Sequence, residues 1–264
     1  MKIINLNSSE GINITIFPDT QPHVNIPGIT EDDEVKVICS LTNTGKLLQL
    51  LETANALDNL FAKKKILVIP YLMAARYDRL MLPGDSIDLK VVADLINYCG
   101  FEKVYLYDVH SDAALLLIKN VIGITNKNLV EQYNMPDAVL ICPDAGAAKK
   151  VGKYFGWNRN IKDIIYCSKN RDLANGQLTL EVLEPQECVN RNCVIIDDLC
   201  DGGGTFLAIA QKIQPAHLTL IVTHGIFSKG FTELEKCFQQ IIVSDSFCNE
   251  YESPIVKMIP FNLI

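Results

Sequence analysis

Several features that would assign a protein to a class are missing from this 264-residue chain. No apolar run reaches the roughly 18 residues of a membrane-spanning helix, so we expect no membrane span. Residues 1–10 lack the apolar stretch of a signal peptide. The nine cysteines contain no Cys-x-x-Cys pair and no zinc-ligand spacing. They therefore favour free thiols in a reducing cytoplasm over a disulfide framework.

Positive charge is also scarce. The formal net charge is −7, so a general nucleic-acid surface is not expected, and an anionic ligand would need locally clustered Lys and Arg. Hydrophobic residues make up 48% and charged residues 21% of the chain, which is typical of a soluble globular protein. We therefore expect neither nucleic acid nor a membrane among its partners.

Short apolar runs alternate with helical patterns along the chain, which predicts an α/β fold with mainly parallel sheets. We expect two such units, 1–122 and 123–248, with the tail 249–264 packing back on the first. The predicted strands are 13–17, 35–40, 65–70, 103–108, 138–142, 163–167, 177–183, 193–198, 217–223 and 240–245, and the predicted helices are 45–62, 86–99, 145–155, 205–213 and 231–237.

The segment 193–205 is the most informative one. Its apolar run ends in Asp197 and Asp198, and Asp201 then precedes three glycines and Thr205, where a helical pattern begins. Glycines let backbone N–H groups approach an anion, and a helix N-terminus adds positive potential. Paired carboxylates can bind ribose hydroxyls directly or through a metal. The alternative is a glycine-rich turn with solvated acids. The predicted sugar-phosphate-binding residues are Asp197, Asp198, Asp201, Gly202, Gly203, Gly204 and Thr205.

This Asp-Asp-x-x-Asp-x-Gly-Gly-Thr pattern resembles the phosphoribosyl-pyrophosphate loop of the type I phosphoribosyltransferase fold. Residues 70–79 (Pro-Tyr-Leu-Met-Ala-Ala-Arg-Tyr-Asp-Arg) resemble the Pro-Tyr-x-x-x-Ala-Arg-x-Asp-Arg segment of the ribose-phosphate pyrophosphokinase family, also called phosphoribosyl-pyrophosphate synthetases. That segment lies beside ATP in the family. The alternative is a salt-bridged loop, and Tyr77 stands where the family usually has Gln. The resemblance implies that Arg76, Tyr77, Asp78 and Arg79 bind ATP.

Two further segments end predicted strands. Residues 107–112 resemble the family's Asp-Leu-His segment, which makes His110 a catalytic, ATP-binding and metal-binding candidate. Residues 142–148 resemble Ser-Pro-Asp-x-Gly-x-x, which makes Asp144 a ligand of the metal or of the ribose hydroxyls. The alternatives are a structural histidine and an aspartate that caps a helix.

Residues 166–176 resemble the family's flexible catalytic loop, with Lys169 and Arg171 as its Lys-x-Arg pair. Mobile cations suit phosphoryl-type transfer, in which catalysis is mostly positioning and charge neutralisation. Without the resemblance, this segment is a solvated hairpin. Residues 223–230 resemble the family's Thr-His-Gly segment, and we expect a structural role for His224.

The resemblance implies two tandem type I phosphoribosyltransferase-like domains: an ATP-side domain, 1–122, and a sugar-phosphate-binding domain, 123–248. It implies Mg²⁺ as cofactor, ATP as co-substrate, a cytoplasmic homo-oligomer and a role in nucleotide biosynthesis. The implied reaction moves the β,γ-pyrophosphoryl group of ATP to the anomeric hydroxyl of ribose 5-phosphate, or of an ester of it, and releases AMP.

Two departures from the family pattern leave alternatives open. The family's Phe-x-Asp-Gly-Glu, which contacts adenine across a subunit boundary in the family, is at best Phe17-Pro-Asp-Thr-Gln21 here. The loop reads Asp201-Gly-Gly-Gly-Thr205 where the family usually has Asp-Thr-Gly-Gly-Thr, so one hydroxyl is missing and the loop is more open. The acceptor could then be ADP-ribose, giving ADP-ribose pyrophosphate and a place in NAD metabolism. A phosphoribosyltransferase and a non-catalytic regulatory paralogue are further alternatives.

Overall fold

The computed structural model describes residues 1–131, 137–155, 164–171 and 178–261. The chain divides into two compact units, Met1–Thr125 and Asn126–Ile264. The expected boundary at residue 122 thus lies close to the observed one. Among the described helices, none is both long enough and apolar enough to cross a membrane.

The first unit contains a five-stranded parallel sheet in the order β1-β4-β5-β6-β7, beside an antiparallel hairpin of β2 and β3. The strands β5 (Lys64–Ile69) and β6 (Lys103–Tyr107) are neighbours, with Ile69 paired to Leu106. The segments that follow them therefore leave the sheet at the same edge. The elements are β1 (Lys2–Asn5), β2 (Asn13–Ile16), β3 (Pro22–Asn25), β4 (Glu34–Ile38), α1 (Thr44–Asn59), β5 (Lys64–Ile69), α2 (Asp88–Tyr98), β6 (Lys103–Tyr107), α3 (Ala113–Leu117) and β7 (Val121–Ile124).

Helix α1 shows how the sequence builds this unit. Its N-terminal residue is preceded by Asn43, whose Oδ1 accepts a hydrogen bond from the backbone N–H of Lys46 at 3.0 Å. This bond satisfies one of the N–H groups that a helix start leaves without an intrahelical partner. Leu50, Ala54 and Leu57 follow at helical spacing, and all three are buried in the same core as Leu67 of β5.

The second unit contains a seven-stranded sheet in the order β10-β9-β8-β11-β12-β13-β14. Neighbouring strands of this sheet are parallel, except that β9 and β10 are antiparallel. The elements are α4 (Lys127–Glu131), β8 (Val139–Cys142), α5 (Ala145–Phe155), β9 (Ile164–Arg171), β10 (Leu178–Val182), β11 (Asn192–Cys200), α6 (Gly204–Ala210), β12 (His217–Gly225), α7 (Thr232–Glu235), β13 (Gln240–Ser244) and β14 (Val256–Ile259).

The central strand β11 is buried on both faces. Cys193 and Ile195 belong to one apolar cluster, and Val194 and Ile196 belong to another. Successive side chains of a strand point to opposite faces of its sheet, which explains the division. The apolar run thus anchors β11 between two cores and delivers its last residues to the carboxyl edge of the sheet.

The structure corrects the expectation for the tail. The described part of the tail, 249–261, does not join the first unit: Val256–Ile259 form β14, which pairs in parallel with β13 from Ile241↔Val256 to Ser244↔Ile259. The backbone N–H of Phe261 also donates to Asp245 Oδ1 at 2.8 Å. The strand went unpredicted because its four residues, Val-Lys-Met-Ile, are too few to show a period, and the partner strand supplies its hydrogen bonds.

Candidate functional site

In the first unit, the two predicted ATP-side segments meet at one edge of the sheet. The Oγ of Ser111 donates to Asp78 Oδ2 at 2.6 Å, joining the segment after β6 to the segment after β5. Arg79 Nε donates to Asp78 Oδ1 at 2.9 Å. The hydrogen bond from Ser111, followed by those from Arg79, lowers the pKa of Asp78, although partial burial opposes the shift. Asp78 is thus an ionised carboxylate that fixes these segments together.

The other candidates at this edge face solvent. Arg76, Tyr77 and His110 are exposed, with Tyr77 57% accessible. A turn precedes them, in which Ala74 has a φ of 66° and its carbonyl accepts the Tyr77 N–H at 2.9 Å. The ion pair of the salt-bridged alternative is therefore present between Asp78 and Arg79, while Arg76 lies at the surface where an anionic ligand can reach it.

In the second unit, three neighbouring strands bring most of the remaining candidates to one edge. The strand β8 lies between β9 and β11, and both pair with it in parallel. Cys142 pairs with Tyr166, and Asp144 follows two residues later. The strand β9 continues past this point, so the backbone of Lys169 and Arg171 extends beyond the carboxyl edge and pairs with β10. Residues 172–177 of the predicted flexible loop lie outside the described residues.

The carboxyl groups at this edge influence one another. Asp197 is half-buried, and burial raises its pKa well above the ordinary value, with further contributions from the charges of Asp198 and Asp144. The backbone N–H of Asp198 donates to Asp197 Oδ1 at 2.9 Å and opposes that shift. A carboxyl group whose pKa is raised by desolvation and by neighbouring carboxylates often occupies a functional position.

The adjacent Asp198 is in a different environment. Lys150 of α5 forms an ion pair with it, with Nζ 2.9 Å from Oδ2, and their side chains are 20% and 6% exposed. Asp197 and Asp198 are consecutive in β11, so they belong to opposite faces of the strand. The two aspartates, which the sequence pattern treats as equivalent, are therefore distinguished by a lysine that the sequence analysis did not identify.

Replacing Lys150 with Met is expected to destabilise the protein by about 2 kcal/mol, because it leaves the carboxylate of Asp198 buried without this ion pair. A fully buried pair costs about 3–5 kcal/mol to break, and the partial exposure of Lys150 reduces that figure. Urea unfolding of Lys150→Met measures the effect. Lys149→Met removes the same charge from an exposed position of the same helix. An equal loss of unfolding free energy in the two variants would show that the ion pair with Asp198 does not stabilise the protein.

Asp144 caps the helix that follows it. Its Oδ1 accepts the backbone N–H of Ala147 at 3.0 Å, and a Cβ at Gly146 would lie 3.2 Å from that oxygen. The capping alternative is thus confirmed, and it engages one of the two carboxylate oxygens.

No group of three or more His, Cys, Asp or Glu side chains among the described residues is arranged to hold a metal ion. This finding is compatible with the binding of Mg²⁺, because proteins commonly bind that ion through one or two carboxylates together with waters and the substrate's phosphates. The oxygens of Asp144 and Asp197 have the required chemistry. Their mutual charge gives a cation a favourable potential there. The shared role of His110 and Asp144 as metal ligands stays a prediction.

The glycine-rich loop is held on both sides. Gly203 has a φ of 74° and precedes α6, and a Cβ there would meet Leu234 Cδ2 at 3.1 Å, so this position requires glycine. The Oγ of Ser228 donates to Asp201 Oδ1 at 2.6 Å, and the backbone N–H of Ser228 donates to the Asp201 carbonyl at 3.2 Å. A Cβ at Gly204 would meet nothing within 4 Å.

The loop is not as open at Gly202 as the sequence led us to expect. A Cβ at this position would lie 3.3 Å from both Cδ and Cε of Lys229 and 3.5 Å from its Cγ. A lysine side chain therefore covers the glycine that stands in place of the family's hydroxyl residue.

His224 is buried in β12, and its Nδ1 lies 2.8 Å from Ser246 Oγ. Ser246 also donates to the carbonyl of Thr223 at 3.1 Å. These contacts tie the ends of β12 and β13 together, which supports the structural role that we expected for this histidine.

The model of the N-terminal domain of ribose phosphate pyrophosphokinase matches residues 4–100. The ribose-phosphate pyrophosphokinase of Mycoplasma pneumoniae is 27% identical over 244 residues, covering 88% of this chain and 73% of the relative. The one from Aquifex aeolicus is 29% identical over 235 residues, covering 81% and 71%. The chain is thus similar to ribose-phosphate pyrophosphokinases over most of its length.

The fold agrees with this relationship. The crystal structure of phosphoribosylpyrophosphate synthetase from Mycobacterium smegmatis superposes with a TM-score of 0.79 at 20% identity, covering 94% of this chain and 85% of that one. The α/β fold with mainly parallel sheets, predicted from the sequence, is thereby confirmed, and the similarity to ribose-phosphate pyrophosphokinases agrees with the resemblance of the sequence motifs.

Proposed function

We propose that this ribose-phosphate pyrophosphokinase relative transfers the β,γ-pyrophosphoryl group of ATP to the anomeric hydroxyl of ribose 5-phosphate, with Mg²⁺ present and AMP released. The observation that carries the proposal is the carboxyl edge of the second sheet. There the neighbouring strands β9, β8 and β11 bring together the backbone of Lys169 and Arg171, the carboxyl of Asp144 and the loop 197–205. Ligands of open α/β sheets bind at such edges.

Each element of this edge has a role in the proposed reaction. Asp197 accepts hydrogen bonds from the ribose hydroxyls, and the loop 201–205 holds the 5-phosphate through its backbone N–H groups. Lys169 and Arg171 neutralise the charge that develops on the transferred group. Arg76, exposed at the edge of the first sheet, pairs with a phosphate of ATP.

Asp144 and Asp197 would hold Mg²⁺ together with the phosphate oxygens of the substrates. When bound, the ion would neutralise phosphate charge and bring the two substrates into register. The residues themselves orient the acceptor: Asp197 fixes the ribose hydroxyls, and Lys150 keeps Asp198 against α5 so that the strand end stays in place. No covalent intermediate with the protein is needed.

One feature keeps ADP-ribose as a second candidate acceptor. Gly204 has open space where a side chain would lie, so the helix end of the loop leaves room for a substituent on the phosphate. The same chemistry on this acceptor would give ADP-ribose pyrophosphate.

The test is AMP release from ATP and Mg²⁺ with ribose 5-phosphate and ADP-ribose offered separately, the products being identified by phosphorus NMR. We expect turnover with ribose 5-phosphate and a product with a new anomeric pyrophosphate resonance. Turnover with ADP-ribose alone would assign the larger acceptor. Consumption of phosphoribosyl pyrophosphate with a nitrogenous base would instead indicate a phosphoribosyltransferase, and silence in every assay would indicate a regulatory paralogue.

A further inference from the structure

Lys229 reaches the glycine loop from a neighbouring turn. Its Cγ, Cδ and Cε all lie 3.3–3.5 Å from the position of a Cβ on Gly202. The Nζ atom is one bond beyond Cε, so the ammonium group lies at the loop as well. Lys229 is exposed, and its charge is therefore accessible to a ligand.

The turn that carries Lys229 is fixed on both sides. Before it, Ser228 makes two hydrogen bonds to Asp201, one through Oγ at 2.6 Å and one through its backbone N–H. The ring of Phe227 is buried, with its centroid 4.6 Å from that of Phe231 and 5.3 Å from that of Tyr251. After it, the N–H of Gly230 donates to the carbonyl of Phe227 at 2.8 Å. The backbone of Lys229 is thus held beside the loop.

The negative charges near the glycine loop indicate what the positive charge of Lys229 could do there. Asp197, Asp198 and Asp201 lie within five consecutive positions of the chain, so a phosphate at the loop would meet a locally negative potential. Lys150 offsets one of these charges, on the opposite face of β11 from Asp197. A cation on the loop itself would reduce the remaining repulsion where the phosphate has to sit.

We propose that Lys229 binds the phosphate of the acceptor and favours a terminal phosphate monoester over a phosphate that is part of a pyrophosphate diester. This inference depends on the proposed function. A terminal monoester carries nearly two negative charges on one phosphate at neutral pH, whereas each phosphate of a pyrophosphate diester such as ADP-ribose carries one, so an ammonium group beside that phosphate discriminates between them electrostatically. Gly202 and Lys229 then work as a pair, because a larger residue at 202 would displace the lysine stem. The ammonium group supplies an interaction that a hydroxyl at 202 could otherwise make.

Three variants test the pair: Lys229→Ala, Gly202→Thr and the double variant. Lys229→Ala is expected to raise the KM for ribose 5-phosphate about tenfold with kcat changed less than about threefold, since hydrogen bonds to charged groups have this order of effect. Gly202→Thr alone is expected to raise the KM similarly, because its side chain pushes Lys229 aside. The double variant, in which the hydroxyl replaces the ammonium group, is expected to return to within about threefold of the wild-type KM. Lys229→Ala should raise the KM for ADP-ribose less than that for ribose 5-phosphate.

Lys212→Ala is the matched control, since it removes an exposed lysine just past the far end of α6 and should leave both KM values unchanged. Additive losses in the double variant, or equal losses for the two acceptors, would overturn the inference. Failure of the proposed function is distinguishable, because the wild type would then release no AMP. Calorimetric binding of ribose 5-phosphate would in that case decide: tenfold weaker binding by Lys229→Ala supports the role of Lys229, and unchanged binding refutes it.

Discussion

Replacing Lys169 with Ala is expected to lower kcat by about 10²–10³-fold while leaving the midpoint of thermal unfolding unchanged. The register of β9 is the reason. Tyr166 is the last residue of β9 in the described register with β8, and Lys169 lies three positions further on, beyond the edge that carries Asp144. In the proposed reaction, Lys169 stabilises the charge that builds up on the transferred pyrophosphoryl group, and losing one such electrostatic contact typically costs this much.

The assay is AMP release under saturating ATP, together with a melting curve by circular dichroism. Lys257→Ala removes a lysine from β14, an edge strand of the same sheet, and serves as the control for charge and strand position. A Lys169→Ala variant with wild-type kcat would remove Lys169 from the mechanism, and a fall in its melting temperature would assign it to the fold instead.

Replacing Asp197 with Asn is expected to make the protein more stable and about a hundredfold less active. Burial and the charges of Asp198 and Asp144 raise the pKa of Asp197, so the ionised group is unfavourable in the free protein. Asn keeps an oxygen for the 2.9 Å hydrogen bond from the Asp198 N–H. It loses the charge that we propose binds ribose hydroxyls and a metal, so turnover is expected to fall while stability rises by about 0.5–2 kcal/mol, the usual range of single stabilising changes.

The stability gain should depend on pH in a defined direction. At low pH, Asp197 is protonated in both the native and the unfolded chain and makes no difference. As the pH rises past the ordinary pKa of an aspartate, the unfolded chain ionises while native Asp197 keeps its proton, so the stability of the wild type falls. The fall ends once native Asp197 has ionised too. Asn does not titrate, so its advantage grows through this window and then stays constant.

Asp245→Asn is the control for this comparison. Burial also raises the pKa of Asp245, which likewise accepts a backbone N–H, yet it follows β13 and lies outside the loop 197–205. The turnover of the Asp245→Asn variant should stay within about threefold of that of the wild type. Urea unfolding between pH 4 and pH 8 measures the stabilities, and an Asp197→Asn variant that is less stable than the wild type at neutral pH would refute the electrostatic account.

The sequence predicted the fold well where apolar runs are long and their flanking residues distinctive. The strands around Lys64–Ile69 and Asn192–Cys200 were recognisable because buried parallel strands are nearly continuous in apolar residues. The segments after those strands contain most of the predicted site residues, and their resemblance to known motifs pointed to the family that the comparisons also indicate. The four-residue strands β1, β3, β7 and β14 were missed, because their hydrogen bonds depend on partners that no local pattern reveals.

The candidate site was predicted as a set of residues but not as a set of contacts. Asp197 and Asp198 are adjacent and chemically identical in the sequence, and only the position of Lys150 on α5 separates their environments. The contact of Ser111 with Asp78 and that of Lys229 with Gly202 join residues 33 and 27 positions apart. Such pairs depend on how the segments pack, which composition and periodicity do not encode.

The position of the C-terminal strand has a consequence for the gene. Because β14 completes the sheet of the second unit, each compact unit corresponds to one uninterrupted stretch of coding sequence, divided between Thr125 and Asn126. Had the tail returned to the first unit, that unit would have been encoded in two pieces. As it stands, a single breakpoint separates the halves, so either one can be duplicated, exchanged or fused to another protein without removing a strand from the other sheet.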